Sequence, residues 1–443
     1  MMRLLDLRGM NITRENAPSF VPRATRGASE VDASVAELIK RVRSDGLAAL
    51  QEQALRFDNV ADLVVEVSAK ELRAAGKNLD RAISAALDEA IRRVRVASED
   101  SLPRSSRTEY QTGGVVSTRY VPIDRAGVYI PGGKAVYPSS VVMNVVAAQA
   151  AGVKDIVLVS PPQADFGGRI HPSILGAAHM LGITEVYAMG GAGAIAALAY
   201  GVPEIGLAPV DVITGPGNLY VATAKRQVIG VVGIDSEAGP TEIGIIADET
   251  AYPEFIAADL LSQAEHDELA SAVLMTTSFE LAQRVEQALV RRVEQTQHRE
   301  RATTSLSGEQ SALIVLDSMD QVIEMANAYA PEHLEIMTEN TQSVVTAIRH
   351  AGAIFVGDYT PVSAGDYAAG SNHVLPTHGS ARHSSGLSPM TFLRTQQIID
   401  YDKEALAHIR SSVVTLAHAE ALPAHAEAME ERFNPAWAPE SAS

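Results

Sequence analysis

Hydrophobic residues along the chain follow two periodicities that change with position. Between residues 30 and 100, apolar residues recur at helical spacing among charges, as in RAISAALDEAIRRVRVA, which predicts amphipathic helices. From about residue 115 to 245, short β-branched runs alternate with Ala-rich helical segments and glycine turns, and the alternation resumes beyond residue 250. The strand-like runs are VVSTRYV, DIVLVS, EVYAM, DVIT and IGIIAD in the first stretch, and SAVLMTT, SALIVL, LEIMT and AIFVG in the second.

The alternation of strands and helices predicts an α/β protein with two Rossmann-like doubly wound units. A length of 443 residues also exceeds what a single hydrophobic core usually supports. After about residue 385 the pattern is helical and polar, with little apolar surface of its own. We therefore expect a helical C-terminal tail that packs on something else, such as a second subunit.

The composition disfavours several classes of function. The formal net charge is −18 and aromatic residues make up 5% of the chain, which argues against binding to nucleic acid and to anionic membrane surfaces. The chain contains no cysteine, which excludes disulfides, thiolate catalysis and thiolate metal ligands. No apolar stretch approaches the roughly 18 residues of a membrane helix, and the N-terminal sequence lacks an apolar signal region. We expect an unsecreted protein of the cytoplasm.

Three glycine-rich turns follow strand-like runs, at residues 129–140, 184–200 and 214–227. The second contains Gly191, Gly193 and Ala196 in G-x-G-x-x-A spacing between a strand and a helix, which is the context of a dinucleotide fingerprint. A glycine turn that packs an alanine-rich helix on a sheet explains the same residues equally well. Three such turns in one unit favour a nucleotide crevice at the carboxyl ends of its strands.

Side chains suited to metal binding and proton transfer occur in four segments. They are Gln263 and His266 in LSQAEHD, Glu332 and His333 in APEHLEI, Asp366 and His373 in SAGDYAAGSNH, and Glu420 and His425 in AEALPAHAE. In a chain without cysteine, imidazole, carboxylate and amide groups favour an open, catalytic metal site over a structural one. Gln263 and His266 share one face of a predicted helix. Each pair, taken alone, is also consistent with ordinary polar surface.

Taken together, these segments resemble the histidinol dehydrogenase family, zinc-dependent enzymes of histidine biosynthesis. The resemblance covers nearly the whole chain and rests on YIPGG, GPGN, AGPTE, LLSQAEHD, APEHLEI, SAGDYAAGSNHVLPT, RHSSGLSP and the E-x-x-x-x-H of the tail, in the family's order. It implies an NAD-dependent four-electron oxidation of L-histidinol, through L-histidinaldehyde, to L-histidine. It also implies a homodimer with a shared active site, in which the helical tail packs across the dimer.

The resemblance assigns roles to individual residues. One Zn2+ per subunit would be held by Gln263, His266, Asp366 and His425, the last from the other subunit. Besides these ligands, the substrate would contact Thr241, His333, His373 and Glu420. NAD would contact Tyr129, Asn218 and the turn at Gly193. The family commonly has glutamine at the place of Gly193, so only the backbone is left to contribute there.

The same resemblance suggests how the chain divides into domains. Residues 25–125 and 243–385 would form a first α/β domain that carries most metal and catalytic residues. Residues 126–242 would form a Rossmann-like NAD-binding domain. Residues 1–24 and 386–443 would form a small helical dimerisation region.

The chemistry of such a reaction fits the pair Glu332 and His333. A neutral imidazole suits removal of the alcohol proton as the hydride leaves, so His333 is the predicted general base. Glu332 is predicted to activate the water that hydrates the aldehyde, and zinc to position the substrate. Two alternatives remain open, a zinc hydrolase with metal-activated water and a nucleotide-binding regulatory protein. The glycine-turn α/β unit, which a hydrolase does not require, favours the dehydrogenase.

Overall fold

The computed structural model describes residues 2–23, 28–132, 136–237 and 239–437, and within them the chain splits into two compact units. The first unit spans Met1–Ser101 and Ile123–Phe392, and the second spans Leu102–Pro122 and Leu393–Ser443. Parallel sheets form the first unit and an antiparallel sheet lies in the second. The mixed α/β fold predicted from the sequence is therefore confirmed, while packing of the tail across a dimer stays a prediction.

Strands and helices alternate along most of the described chain. The strands are β1 (Arg3–Asp6), β2 (Ser106–Glu109), β3 (Val115–Pro122), β4 (Arg125–Tyr129), β5 (Asp155–Ser160), β6 (Glu185–Ala188), β7 (Val212–Thr214), β8 (Gly233–Ile234), β9 (Glu242–Ala247), β10 (Ser271–Thr276), β11 (Ala312–Val315), β12 (His333–Met337), β13 (Ala353–Val356) and β14 (Leu393–Asp400). The helices are α1 (Ala17–Phe20), α2 (Ala28–Asp45), α3 (Leu47–Gln53), α4 (Ala69–Asn78), α5 (Arg81–Asp100), α6 (Pro138–Ala151), α7 (Pro172–Met180), α8 (Gly191–Tyr200), α9 (Leu219–Val228), α10 (Pro253–Ala264), α11 (Phe279–Gln295), α12 (Arg299–Ser307), α13 (Met319–Tyr329), α14 (Thr341–Ala347), α15 (Val362–Tyr367), α16 (Lys403–Ala419) and α17 (Pro423–Glu430). Among these helices, none is long and apolar enough to cross a membrane.

A five-stranded parallel sheet in the first unit has the strand order β6-β5-β4-β7-β8. In chain order this is 3-2-1-4-5, the arrangement of a doubly wound sheet whose switch point lies between β4 and β7. Helices α2 and α3 pack on α8, α4 packs on α7, and α5 packs on α6. Helices α2 to α5, which were predicted to share a domain with residues 243–385, thus lie against helices of the five-stranded sheet. The domain boundaries themselves stay a prediction.

A six-stranded parallel sheet has the order β1-β11-β10-β9-β12-β13. Strands β9 to β13 repeat the 3-2-1-4-5 arrangement, with the switch point between β9 and β12, and β1 extends the sheet beyond β11. Both faces are apolar and covered, one by a cluster with Leu260 and Leu289 and the other by a cluster with Val322 and Met325. The prediction of a helical region at residues 1–24 is therefore wrong for β1, which is a strand of this sheet.

The second unit contains an antiparallel sheet in the order β14-β3-β2 and the helices α16 and α17. Two sequence expectations are corrected here. VVSTRYV forms β3 of this sheet instead of a parallel strand, and the region after residue 385, expected to be helical, begins with β14. Residues of β3 and β14 are mostly half-buried or exposed. Strand β14 is mostly exposed and has few apolar residues, which is why LRTQQIID gave no strand signal.

Helix α10 and strand β12, which carry the predicted site residues Gln263 and His333, bury a pair of carboxyl groups. Asp259 on α10 and Glu335 on β12 are 9% and 1% exposed. Burial raises the pKa of Asp259 to about 6, and burial together with the Asp259 charge raises the pKa of Glu335 well above its ordinary value. Glu335 Oε1 accepts a hydrogen bond from Val362 N at 2.9 Å. Burial and mutual repulsion therefore favour a state in which at least one of the two carboxyl groups keeps its proton.

We expect Glu335→Gln to raise the free energy of unfolding at about pH 8 by about 1–3 kcal/mol and to change it much less at about pH 5. Both pKa values are raised by folding, so the stability that the pair contributes is complete below the pKa of the unfolded carboxyls. It is lost as the pH rises through about 6. Glutamine keeps an oxygen for Val362 N and offers an N–H group to Asp259. Urea unfolding at both pH values measures the effect, and a loss of stability at the higher pH would contradict it.

Candidate active site

Two sheet edges of the first unit border a common cavity of about 660 Å³, a volume typical of small-molecule sites. The five-stranded sheet contributes residues beyond the carboxyl ends of its strands, at 215–218 after β7 and 235–237 after β8. The six-stranded sheet contributes residues at the amino ends of β9 and β12. The predicted site residues that line this cavity are Asn218, Thr241, His266, Glu332, His333, Asp366 and His373.

His333, the first residue of β12, is buried in the wall of this cavity. Its Nδ1 lies 3.1 Å from the carbonyl oxygen of Glu242, and because a carbonyl can only accept, Nδ1 carries a proton. Nε2 is buried, has no hydrogen-bond partner among the described residues, and lies 3.8 Å from Asp366 Oδ1. Burial lowers the pKa of His333. The ring is therefore neutral with its lone pair on Nε2, which is the form that a general base requires.

Glu332 is buried immediately before β12 and is tied to Thr241 and Gln263. Its Oε2 accepts hydrogen bonds from Thr241 Oγ1 at 2.5 Å and from Glu242 N at 2.9 Å. Thr241 Oγ1 in turn accepts a bond from Gln263 Nε2 at 2.5 Å. Burial raises the pKa of Glu332 to about 8. This carboxyl group is therefore mostly protonated at neutral pH, and the fraction in its ionised, proton-accepting form increases as the pH approaches 8.

Three of the predicted zinc ligands lie in the first unit, and their donor atoms suit a divalent metal. His266 opens onto the cavity, where desolvation lowers its pKa and keeps the imidazole in its metal-binding neutral form. Asp366 lines the same cavity. Because Gln263 Nε2 donates to Thr241, its Oε1 is the atom that can serve as a ligand. Mixed nitrogen and oxygen donors fit zinc and its first-row neighbours.

The set of ligands in this unit is incomplete for a metal centre. Among the residues that the structure describes, no three histidine, aspartate or glutamate side chains are placed to hold a metal ion together. His425 lies in the first turn of α17 and Glu420 follows α16, so both belong to the second unit, where both are exposed. The roles predicted for these two residues stay predictions.

His373 links Asp366, which lies in helix α15, to helix α6. Its Nδ1 lies 2.8 Å from the carbonyl oxygen of Asp366, and its Nε2 lies 3.0 Å from Ser140 Oγ. Nδ1 must therefore donate, and Nε2 accepts from the Ser140 hydroxyl. Burial lowers the pKa of His373 to about 4, which fits this neutral ring. The substrate contact predicted for His373 would have to replace one of these two bonds.

The residues predicted to bind NAD differ in their access to the cavity. Asn218 lines it, and its Oδ1 caps α9 by accepting from Tyr220 N at 3.0 Å and Val221 N at 3.2 Å. Tyr129 is buried, and its hydroxyl accepts a bond from Gly191 N at 3.3 Å. Residues 133–135 of the first glycine turn and residue 238 of the AGPTE motif lie outside the described residues.

The backbone of Gly193 makes a contact for which the sequence gives no signal. Its N–H group donates to Gln53 Oε1 at 2.8 Å, while Gln53 Nε2 donates to the carbonyl oxygen of Gly190 at 2.6 Å. A Cβ atom at position 193 would lie 2.2 Å from Gln53 Oε1. Gln53 therefore takes both the space for a side chain at position 193 and the backbone donor that was expected to face NAD. A contact between Gly193 and NAD stays a prediction, and the N–H group of Gly193 would have to leave Gln53 to make it.

The roles of several residues that shape the site could not be predicted from the sequence. Ser140 and Gln53 act on partners 233 and 140 residues away, a separation at which no periodic pattern connects two side chains. Lys225 and Asp235 also line the cavity and form a buried ion pair. The lysine could have been noticed, because it is a charged residue on the apolar side of the helix that follows a glycine turn.

Comparison with known proteins points to one family. The family model described as histidinol dehydrogenase matches residues 21–433. The chain is 54% identical over 429 residues to a histidinol dehydrogenase of Thermobifida fusca, covering 97% of each chain, and 53% identical over 432 residues to one of Leifsonia xyli, covering 98% of this chain and 99% of the relative. The crystal structure of histidinol dehydrogenase from Elizabethkingia anophelis superposes with a TM-score of 0.92 at 34% identity, covering 98% of both chains.

Two doubly wound sheets that share a cavity with a neutral imidazole base are typical of a nucleotide-dependent dehydrogenase. The length and identity of these matches make the family plain: the chain belongs to the histidinol dehydrogenase family. The resemblance stated from the motifs and the prediction of an oxidoreductase are thereby confirmed. Membership of this family disfavours the two alternative functions, a zinc hydrolase and a nucleotide-binding regulatory protein.

Proposed function

We propose that the protein catalyses the NAD-dependent oxidation of L-histidinol to L-histidine through L-histidinaldehyde. Membership of the histidinol dehydrogenase family supports oxidation of histidinol. The observation that carries the proposal is the protonation state of His333. Its neutral ring has an unprotonated Nε2, and the residue lines the same cavity as the turn at residues 215–218. A base on one side and a nucleotide-type turn on the other are what a hydride transfer requires.

The protein's own residues move protons in both oxidation steps. In the first, His333 Nε2 takes the proton of the alcohol hydroxyl while its Nδ1–H remains bonded to the Glu242 carbonyl, which keeps the ring oriented. Water then adds to the aldehyde: Glu332 accepts a proton from the water while the protonated His333 returns its proton to the aldehyde oxygen, which forms the diol and frees Nε2 again. His333 serves again as base when the resulting diol is oxidised. Thr241 holds the Glu332 carboxyl in place through its hydroxyl group.

The remaining groups would bind and orient the reactants. Gln263, His266 and Asp366 would hold the zinc ion together with His425 of the partner subunit, one ion per subunit. Zinc bound there would supply a template for the substrate's nitrogen atoms, and NAD would supply the hydride acceptor for each oxidation. Asn218 and Tyr129 would contact NAD, and Glu420 the substrate. The His373 ring holds the backbone of Asp366, and with it one of the metal ligands.

The test measures NADH formation from histidinol by the purified protein before and after treatment with a chelator. We expect chelation to abolish NADH formation and added zinc to restore it. Full activity in protein shown to be metal-free would contradict the role of the metal. No NADH from the zinc-loaded protein would contradict the proposed reaction itself.

A shared active site predicts complementation between two inactive variants. His425→Ala would lack the ligand given to the neighbouring site, and His333→Ala would lack the base, so each homodimer should be inactive. In a hybrid dimer one site receives both intact residues, and mixing the variants should restore up to about a quarter of the native activity, because statistical exchange makes half the dimers hybrid. If labelled subunits exchange and no activity returns, the site is not shared.

The predicted compartment remains the cytoplasm.

A further inference from the structure

The wall of the cavity contains a buried ion pair that the proposed proton transfers do not use. Lys225 on α9 and Asp235 after β8 are paired, with side chains 2% and 3% exposed. Asp235 Oδ2 accepts a hydrogen bond from Gly215 N at 2.8 Å, and Lys225 Nζ donates to the carbonyl oxygen of Gly215 at 3.0 Å. The pair therefore engages both backbone polar groups of a single glycine.

That glycine sets the path of the turn at residues 215–218. Gly215 has φ of +115°, and a Cβ atom there would lie 1.9 Å from the carbonyl oxygen of Tyr129, so the backbone passes closely over the end of β4. At its other end the turn is fixed by Asn218, whose Oδ1 caps α9. The segment between these two anchors lines the cavity. Movement at Gly215 would shift this segment relative to whatever occupies the cavity.

Stability alone does not account for such a pair. The cost of removing two charges from water offsets much of their attraction, so apolar side chains of similar volume would stabilise the fold as well or better. The pair is also neutral overall, so it adds little net attraction for an anionic cofactor. Its distinctive effect is geometric, because only a donor and an acceptor held together can fix both the N–H and the C=O of Gly215.

We propose that Lys225 and Asp235 are positioning residues of the dinucleotide site, which hold the turn at residues 215–218 in the conformation that accepts NAD. The proposal rests on the proposed function, since it takes NAD as the occupant of this part of the cavity. It concerns neither the metal nor the proton transfers. Disturbing the pair should therefore weaken NAD binding selectively and leave the affinity for histidinol nearly unchanged.

The experiment compares Lys225→Met, Asp235→Asn and the double variant with the native protein. The matched control is Lys154→Met/Asp155→Asn, two adjacent exposed residues at the start of β5 in the same sheet. Calorimetry gives the Kd for NAD without histidinol, and steady-state kinetics give kcat and both KM values. We expect the Kd and KM for NAD to rise about tenfold or more in the single variants, with the KM for histidinol within about twofold.

The double variant keeps the test decisive if a single variant does not fold, because it leaves no buried charge unpaired. Its affinity for NAD should remain lowered, since the Gly215 carbonyl has lost its lysine donor. Native affinity for NAD in the folded double variant would overturn the proposal, as would equal rises in both KM values or a loss confined to kcat. Native protein that does not bind NAD would contradict the proposed function instead.

Discussion

Replacing His333 with asparagine should lower kcat for histidinol oxidation about 10²- to 10⁴-fold, the usual contribution of a positioned general base. Asparagine can still donate a hydrogen bond to the Glu242 carbonyl, as His333 Nδ1 does, so the backbone around β12 should keep its conformation. What the variant lacks is a group with the basicity of Nε2. The loss should therefore appear in kcat, with the KM for NAD changed by no more than about twofold.

The matched control for this variant is His298→Asn, at an exposed position before α12. It should retain native kinetics. Free imidazole added to the His333→Asn protein should restore part of the rate if the defect is a missing base. A variant that keeps more than about a tenth of the native kcat would show that His333 is not the base.

Replacing Glu332 with glutamine should slow oxidation of the aldehyde about 10²- to 10⁴-fold while slowing oxidation of the alcohol much less. Glutamine preserves an oxygen to accept from Thr241 Oγ1 and Glu242 N, so the local bonds of the site survive. The variant removes only the ability to take a proton from water. Steady-state rates with histidinol and with histidinaldehyde as separate substrates measure the two steps.

The pH dependence of aldehyde oxidation provides a second test of Glu332 as the base that activates water. Since burial raises the pKa of Glu332 to about 8, the ionised, base-competent form increases as the pH rises through that value. Aldehyde oxidation by the native protein should therefore rise as the pH passes through about 8 and level off about one pH unit above that value, and Glu332→Gln should abolish this rise. Glu339→Gln, an exposed carboxylate after β12, is the control. Equal losses in both steps would contradict the division of labour between Glu332 and His333.

The sequence predicted those parts of the fold that local periodicity encodes. Runs such as DIVLVS and MDQVIEMANAY became β5 and α13 because each is either buried on both sides or amphipathic, and either condition leaves a clear pattern. Strand β14 left no pattern, because most of its residues are exposed. The strand order of the two sheets also could not be read from local patterns, because pairing between distant segments decides it.

The reactive side chains of the candidate site were predictable from motifs. The contacts that hold these side chains in place were not. Thr241, His266, Glu332, His333 and Asp366 were predicted by residue type and motif, and the structure brings them into one cavity. The tautomer of His333 depends on the Glu242 carbonyl, which lies 91 residues away in the chain. The contact between Gln53 and Gly193 joins the end of a helix to a glycine turn of a different segment. Such contacts depend on the tertiary fold, and one sequence alone contains no signal for them.

The central claim is that one cavity carries out both oxidations, so the most direct measurement is the amount of NADH formed per histidinol consumed. Limiting histidinol is converted to completion with excess NAD, and histidine and free histidinaldehyde are quantified alongside NADH. We predict two NADH and one histidine per histidinol, with little aldehyde released even when a carbonyl trap is present. One NADH per histidinol with an equal amount of trapped aldehyde would contradict the claim.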